Sequence, residues 1–322
     1  MFDSIAFMLD AHGLTGAVEA AFPHTGFSGA ALTRLTRGDG RAFVLKRMSI
    51  DRDWIMRATD DTECREAAFA DATVDLGALV RSPSVAVARD GDAHALLMRD
   101  ISPEVLPQGP ITDDQLAAIV RGMAALHAEP PPAHVPWCDL TRRLMLLTPA
   151  TARIAESYRA PVARQIIDGW SRFEEHASLG ARSIVRRLID DPSPLVRALN
   201  RAPAGFLHGD LKFDNIGIDA SEHLWLIDWA MPLVAPPAVE LGWFLAINSQ
   251  RLPASVSLDD VMAGYAEAAR LRGEARELHD ALTVICGLLL RGWRKALDAS
   301  AGDLAELRWW CERVESAAEA LG

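Results

Sequence analysis

The sequence predicts an α+β fold in two unequal lobes, a small β-rich N-terminal lobe and a larger, mostly helical C-terminal one. Three observations carry this. Alternating apolar segments at 30–36 and 41–48 are split by Gly38-Asp39-Gly40, a hairpin signal. A second such pair, 85–88 and 94–98, turns at Asp90-Gly91-Asp92. Beyond the Pro-rich, polar stretch 98–110, nearly every segment carries the apolar spacing of an amphipathic helix.

The elements follow in order. Residues 2–11 have helical spacing, and 17–22 form a short further element. Gly26 and Gly29 open the first strand of the hairpin. Residues 51–75 carry one helical pattern containing Glu63, Glu66, Ala67, Phe69 and Ala70. Thr112 caps a helix with Asp113 and Asp114 in its first turn and apolar residues at Leu116, Ala117, Ile119, Val120, Met123 and Leu126. Helical patterns recur at 140–158, 162–176 and 183–200. Residues 237–249 form an apolar helix that must be buried, and 258–272, 275–299 and 304–320 are amphipathic helices. The expected division is an N-terminal lobe at 1–98, a hinge at 99–110 and a helical lobe at 111–322.

Composition narrows the function. With 322 residues, half of them hydrophobic and about a quarter charged, the chain has the make-up of a soluble protein with a sizeable core. The longest uncharged apolar run, 281–290, is too short to span a bilayer. The N-terminus lacks a basic region ahead of its apolar residues and does not read as a secretory signal. Four scattered cysteines without CxxC spacing read as reduced thiols, so a cytoplasmic protein is expected. The net charge of −11 is unevenly spread: residues 1–205 hold 26 acids and 23 bases, residues 206–322 hold 18 and 10. No basic stripe is present to neutralise a run of phosphates, which argues against a nucleic-acid partner. An acidic C-terminal part favours a cationic substrate, although solvated helix faces explain it equally well.

Chemistry concentrates in Phe206–Asn215, FLHGDLKFDN, where apolar residues run into a loop crowded with His208, Asp210, Lys212, Asp214 and Asn215. The spacing His-x-Asp-x-x-x-x-Asn is that of a phosphoryl-transfer loop, in which the Asp takes or orients a hydroxyl proton and the Asn holds Mg²⁺. Thirteen residues on, LWLIDWA places Asp228 where a second metal-binding carboxylate belongs. Two short strands joined by a tight turn at 219–222 are expected to bring Asp210, Asn215 and Asp228 together from one hairpin. Lys212, two residues after Asp210, is a candidate for contacting the transferred phosphoryl group. The bland alternative is a turn whose Asp and Asn cap neighbouring elements.

Lysine usage adds a second line. Only three of the 33 basic residues are lysine, namely Lys46, Lys212 and Lys295, so generic surface positions have gone to arginine. Lys46 ends the alternating run AFVLK, where it would reach nucleotide phosphates while paired to Glu66 on the following helix, with Glu63 in reserve. The Gly26-Phe27-Ser28-Gly29 turn offers backbone N–H groups over phosphates, or is an ordinary turn. His208 reads as a packed scaffold residue and His127 as a helix C-terminal cap. Glu240, entering an apolar helix, must be paired and is assigned to bracing the loop backbone. Trp243 and Phe244 read as core. Trp309 and Trp310 read as packing of the terminal helix.

Together LHGDLKFDN, LIDWA, FVLKR, REAAF, LHAE and PAVELGWFLA resemble the aminoglycoside phosphotransferase family of small-molecule kinases, over about Gly26 to Asn248. The resemblance implies a protein-kinase-like bilobal fold, ATP (or GTP) and Mg²⁺ as cofactors, and a small-molecule hydroxyl acceptor. It implies Asp210 and Lys212 as catalytic residues and Asn215 and Asp228 as metal ligands. Lys46, Glu66, Gly26, Ser28, Gly29, Met98, Arg99 and Ile101 would bind the nucleotide, its base edge bonded to backbone near 98–101. Lys212, Ala230 and Glu240 depart from the common pattern, where His, Gly and Asp are frequent, and mark a divergent branch. A catalytically silent nucleotide-binding protein of the same fold, and a metal-dependent hydrolase using His208, Asp210 and Asp228, remain as alternatives.

Overall fold

The computed structural model describes residues 1–22 and 28–322. The chain opens with helix α1 (Ile5–Ala11), then strands β1 (Val18–Ala21), β2 (Ala31–Thr36) and β3 (Ala42–Met48). Two short helices, α2 (Trp54–Ala58) and α3 (Arg65–Asp71), precede β4 (Val80–Arg81), β5 (Ser84–Asp90) and β6 (Ala93–Arg99). Five of these strands form an antiparallel sheet in the order β1-β2-β3-β6-β5.

The period-two alternation of its central strands creates two cores. Val44, Met48, Leu96 and Met98 face α2 and α3 and pack with Met56, Cys64 and Ala67. Leu45, Ala95 and Leu97 face the other way and pack with Met8 of α1 and Leu14. Lys46 shares the parity of Val44 and Met48, so the alternation aims its side chain at the helices.

The remainder is mostly helical: α4 (Asp113–Ala128), α5 (Leu140–Met145), α6 (Pro149–Ser157), α7 (Val162–His176), α8 (Leu179–Asp190) and α9 (Ser193–Leu199). Four three-residue strands follow, β7 (Gly205–Leu207), β8 (Ile216–Ile218), β9 (Leu224–Leu226) and β10 (Leu233–Ala235). The chain closes with α10 (Ala238–Asn248), α11 (Leu258–Ala268), α12 (Gly273–Ser300) and α13 (Leu304–Ser316). A β-sheet N-terminal region on a helical C-terminal region is thus the architecture, as the patterning predicts. Among the described residues no helix is long and apolar enough to cross a membrane.

Where boundaries differ, local chemistry explains it. The single helix expected over 51–75 is two, because Asp60 and Cys64 adopt φ of 55° and 56° and Asp61 accepts the Arg65 N–H to start α3. Pro149 starts a new helix inside 140–158. The helix expected from 183 begins at Leu179, capped by Ser178, and Pro192 separates it from α9.

Helices α10 and α12 cross at glycines. A Cβ on Gly242 would lie 2.4 Å from the Thr283 carbonyl oxygen, and one on Gly287 would lie 2.9 Å from the Gly242 carbonyl oxygen. Backbone cannot retreat as a flexible side chain can, so Gly242→Val is expected to destabilise by at least about 1–3 kcal/mol. Gly264→Ala in α11, whose new Cβ meets its nearest neighbour at 4.0 Å, is expected to be neutral or to stabilise by about 0.5–1 kcal/mol. Urea denaturation of the two variants checks the contrast; equal effects would refute the close-crossing account.

Candidate active site

The site begins with the alternation of β3. Lys46, on the helix-facing side, donates to Glu66 Oε2 at 2.6 Å and to Asp228 Oδ1 at 2.7 Å. Glu66 sits in the first turn of α3, and it is Glu66, not Glu63, that takes the lysine. Burial alone would lower the Lys46 pKa, but Asp228 and Glu66 together hold it well above the ordinary lysine value. Burial likewise works against ionised Asp228, yet Lys46 and Lys212 hold it well below the usual carboxylate range. Glu66 is displaced upward by burial, with Lys46 opposing. One ammonium therefore serves two carboxylates from different parts of the chain.

The second component is the loop after β7. Gly209 has φ +86°, and a Cβ there would fall 1.8 Å from the Met231 carbonyl oxygen, so His-Gly-Asp admits no side chain at its centre. Glu240, in the first turn of buried α10, accepts the N–H of His208 at 3.1 Å and of Gly209 at 2.5 Å. Burial would raise the Glu240 pKa, but the hydrogen bond and charge of His127 and the Gly209 amide pull it below the usual value. His127 is not the helix cap expected from its position: its Nε2 meets Glu240 Oε2 at 2.9 Å and its Nδ1 meets the Tyr265 hydroxyl at 2.7 Å. Arg143 Nε donates to the Gly209 carbonyl at 2.6 Å, and Asn248 Oδ1 accepts the Phe213 N–H at 3.0 Å. His208 has no nitrogen left for catalysis, since Nδ1 accepts the Asp210 N–H and Nε2 donates to the Ile227 carbonyl.

Asp210 emerges from this frame with its carboxylate held by Lys212 at 2.8 Å and by Asn215 Nδ2 at 3.2 Å, both on Oδ2. Burial disfavours the Lys212 ammonium, but Asp210 and Asp228 raise its pKa overall.

The single hairpin expected to deliver all three groups is corrected here. β7, which leads to Asp210, pairs with β10. Asn215 and Asp228 bracket a different hairpin, β8–β9, closed by the turn at 219–222. The two units meet because His208 Nε2 reaches the Ile227 carbonyl and Asn215 Nδ2 reaches the Asp210 carbonyl, at 2.9 Å. Asp228 itself has φ 68°, an uncommon conformation for a non-glycine residue.

The remaining sequence candidates divide. Gly26 lies outside the described residues. Ser28 and Gly29 stand just before β2; Gly29 has φ +103°, and a Cβ there would lie 2.1 Å from the Arg52 carbonyl oxygen, while the Ser28 carbonyl accepts the Trp54 N–H. Met98 is buried and lines a narrow crevice with Glu66, Phe69, Leu226 and Asp228. The Arg99 amide donates to the Pro83 carbonyl and its guanidinium stacks 4.0 Å from the Trp225 ring. The Ile101 carbonyl accepts from Glu104 and Val105, and its N–H has no partner among the described residues.

The donor set suits a hard cation. Asn215 spends its Nδ2 on Asp210, which leaves Oδ1 as its free oxygen, and Lys46 engages only Oδ1 of Asp228. One amide and one carboxylate oxygen match the small number of protein groups that Mg²⁺ takes when phosphate oxygens supply the rest.

Comparison with known proteins decides the family. The family model APH, phosphotransferase enzyme family, matches residues 25–278. The chain belongs to that family. A likeness in fold extends to solved structures. A thermostable mutant of aminoglycoside phosphotransferase APH(4)-Ia, in ternary complex with ADP and hygromycin B, is 12% identical over 97% of this chain and 97% of that chain, with a TM-score of 0.51. Amicoumacin kinase hAmiN, in complex with AMP-PNP, Ca²⁺ and Ami, is 12% identical over 99% and 93%, at 0.54. LicA in complex with AMP is 12% identical over 98% and 96%, at 0.52. At such identities the likeness is one of fold. No curated protein matches.

Sequence reading missed Arg143, Asn248 and Arg65, whose Nε donates to the Ala230 carbonyl beside Asp228. It also missed Asp53, a buried cap of α2 that burial pushes up to about 6. Arg143 lies among helical apolar residues, and only its near-total burial marks it.

Burial lowers the His208 pKa, which gives a signed prediction. Above about pH 6.5 the ring is neutral in both states. As pH falls below that, the unfolded chain takes up a proton the native ring refuses, so stability declines by up to about 1.4 kcal/mol per pH unit. Asp53, with its raised pKa, acts in the opposite sense, so the wild type is compared with His208→Gln. Urea denaturation between pH 5 and 7 should give a shallower acid loss in the variant; parallel curves would contradict the neutral, doubly bonded imidazole.

Proposed function

We propose that this member of the phosphotransferase family is a Mg²⁺-dependent kinase that moves the γ-phosphoryl group of ATP (or GTP) to a hydroxyl of a small molecule. The observation that supports it best is the Lys46 ammonium shared by Glu66 and Asp228, with the bonded pair Asp210 and Asn215 tied to the strand end before Asp228 through His208 and the Ile227 carbonyl. The nucleotide is assigned to the cleft between an N-terminal lobe at 1–98 and a helical lobe at 111–322, with 99–110 as the hinge. Its base would lie against Met98–Ile101, where the Ile101 N–H is unspent among the described residues, and its phosphates near Ser28 and Gly29.

Phosphoryl transfer passes through a loose transition state, so the protein contributes mainly position and charge. Asp210 orients the acceptor hydroxyl and takes its proton as the hydroxyl oxygen bonds to the γ-phosphorus. The bond to the β–γ bridging oxygen breaks, and ADP leaves with that electron pair. Lys46 steadies the α- and β-phosphates. Lys212, tied to Asp210, stands where it can neutralise the transferring group. Asn215 Oδ1 and Asp228 would hold Mg²⁺, which would supply positive charge to offset that of the phosphates. The hydrolase alternative loses its base, because both His208 ring nitrogens are committed to backbone.

Asp210→Asn should fold, bind Mg-AMP-PNP like the wild type and lose turnover by about 10²–10⁴-fold. Lys46→Ala, which strands the buried Glu66 and the part-buried Asp228, should weaken nucleotide binding. Coupled ADP-release assays and calorimetry read both. Full turnover in Asp210→Asn would remove it as the base, and nucleotide binding without turnover of any hydroxyl compound would favour a catalytically silent protein.

A further inference from the structure

The helical side of the site contains two arginines without a carboxylate of their own. Arg143 of α5 is almost fully enclosed, and Arg291 of α12 is partly exposed with its Nε enclosed. Both guanidiniums lie over the Trp243 ring, at 4.6 and 5.6 Å from its centroid, and Arg291 also lies 4.9 Å from that of Trp293. Arg143 Nε holds the Gly209 carbonyl, one residue before the proposed base, and the Asp210 charge acts on both arginines.

The acids facing them are already taken. Asp210 pairs with Lys212 at 2.8 Å, Asp298 with Arg294 at 3.0 Å and Glu306 with Lys295 at 2.8 Å. Glu240, which faces Arg143, is committed to His127 and two loop amides. Burial lowers the pKa of both arginines, that of Arg291 to about 10, and a guanidinium is a charged group at neutral pH. An enclosed guanidinium without a counter-charge is costly.

Hydrogen bonding points the same way. Arg143 Nη1, Arg291 Nε, Trp243 Nε1 and Trp293 Nε1 are all buried without a partner among the described residues. Every one of them is a donor. A cluster of donors that lacks acceptors calls for a group that accepts only, and an ionised carboxylate or phosphate is such a group. An ammonium offers the reverse on both counts.

We propose that the acceptor molecule carries an oxyanion, a carboxylate or a phosphate, which docks on Arg291 and the Trp243 indole N–H while its hydroxyl faces Asp210. This deepens the kinase reading and rests on it. Arg291 makes the contact, since it alone of the pair is partly exposed; Arg143 supplies charge and holds Gly209. The inferred acceptor has the opposite sign to the one that the net charge of −11 suggests, because the local field at a site outweighs the total.

The test uses the full chain with Mg-AMP-PNP, so that binding is separated from chemistry. Calorimetry compares gluconate with sorbitol, glycerol 3-phosphate with glycerol, and choline as the cation. At least one oxyanion should bind at least about tenfold tighter than its neutral partner, and choline should show no advantage. Arg291→Gln should abolish that preference, Arg291→Lys should keep part of it, and AMP-PNP affinity should be unchanged in both. Trp243→Phe, which removes the indole donor and keeps the ring, repeats the test should Arg291→Gln fail to fold. For a compound that is turned over, Arg291→Gln should raise KM about tenfold and leave kcat within about threefold. The proposal is overturned if neutral polyols or choline bind as well as the oxyanions, or if the preference survives Arg291→Gln, as it would were these donors served by water alone. Failure of the kinase reading looks different: oxyanion preference persists, yet no ADP is released from ATP.

Discussion

The site depends on one ammonium. Lys46 comes from a strand, Glu66 from the helix that packs on that strand, and Asp228 from the end of a hairpin 182 residues further on. All three are largely enclosed, so the arrangement is favourable only while each charge has its partner. Strand parity, helix docking and the position of the β8–β9 hairpin must agree for the three to meet. With two carboxyl groups on one lysine the cluster is net negative once both are ionised, a state that an added cation favours.

A second layer of buried polarity shapes the loop without touching the proposed reaction. Glu240 holds two consecutive amides, His127 holds Glu240 and is itself held by Tyr265, and His208 ties the loop to the neighbouring hairpin. Every link is a long-range hydrogen bond inside an apolar core, where an unmade one is expensive. Gly209, pressed against the Met231 carbonyl, leaves the loop no alternative path. Asp210 is thereby aimed by residues that need carry no chemistry themselves.

Much of this was legible in the sequence, and the failures have physical causes. Two-residue alternation revealed the sheet and set the direction of Lys46. The scarcity of lysine singled out three positions, and all three lysines are ion-paired in the structure, Lys295 with Glu306. An acid inside an apolar helix announced a partner, though not that the partner would come from a histidine 113 residues away. The pairing of β7 with β10 could not be read, because three-residue strands carry no periodicity to align. Arg143 and Arg291 also escaped notice. In a chain rich in arginine, nothing local distinguishes a buried guanidinium from one on the surface.

β4 is only two residues long, yet it lies parallel to β9 and covers an edge of the hairpin that carries Asn215 and Asp228. The N-terminal half thus contributes a strand to the sheet of the C-terminal half. Severing the chain between them would strip that cover and leave β9, with buried Leu224 and Leu226, as a naked apolar rim open to mispairing with other chains. The two halves are therefore not interchangeable cassettes. Grafting one onto a relative's counterpart would have to carry Val80 and Arg81 along with the strand they shield.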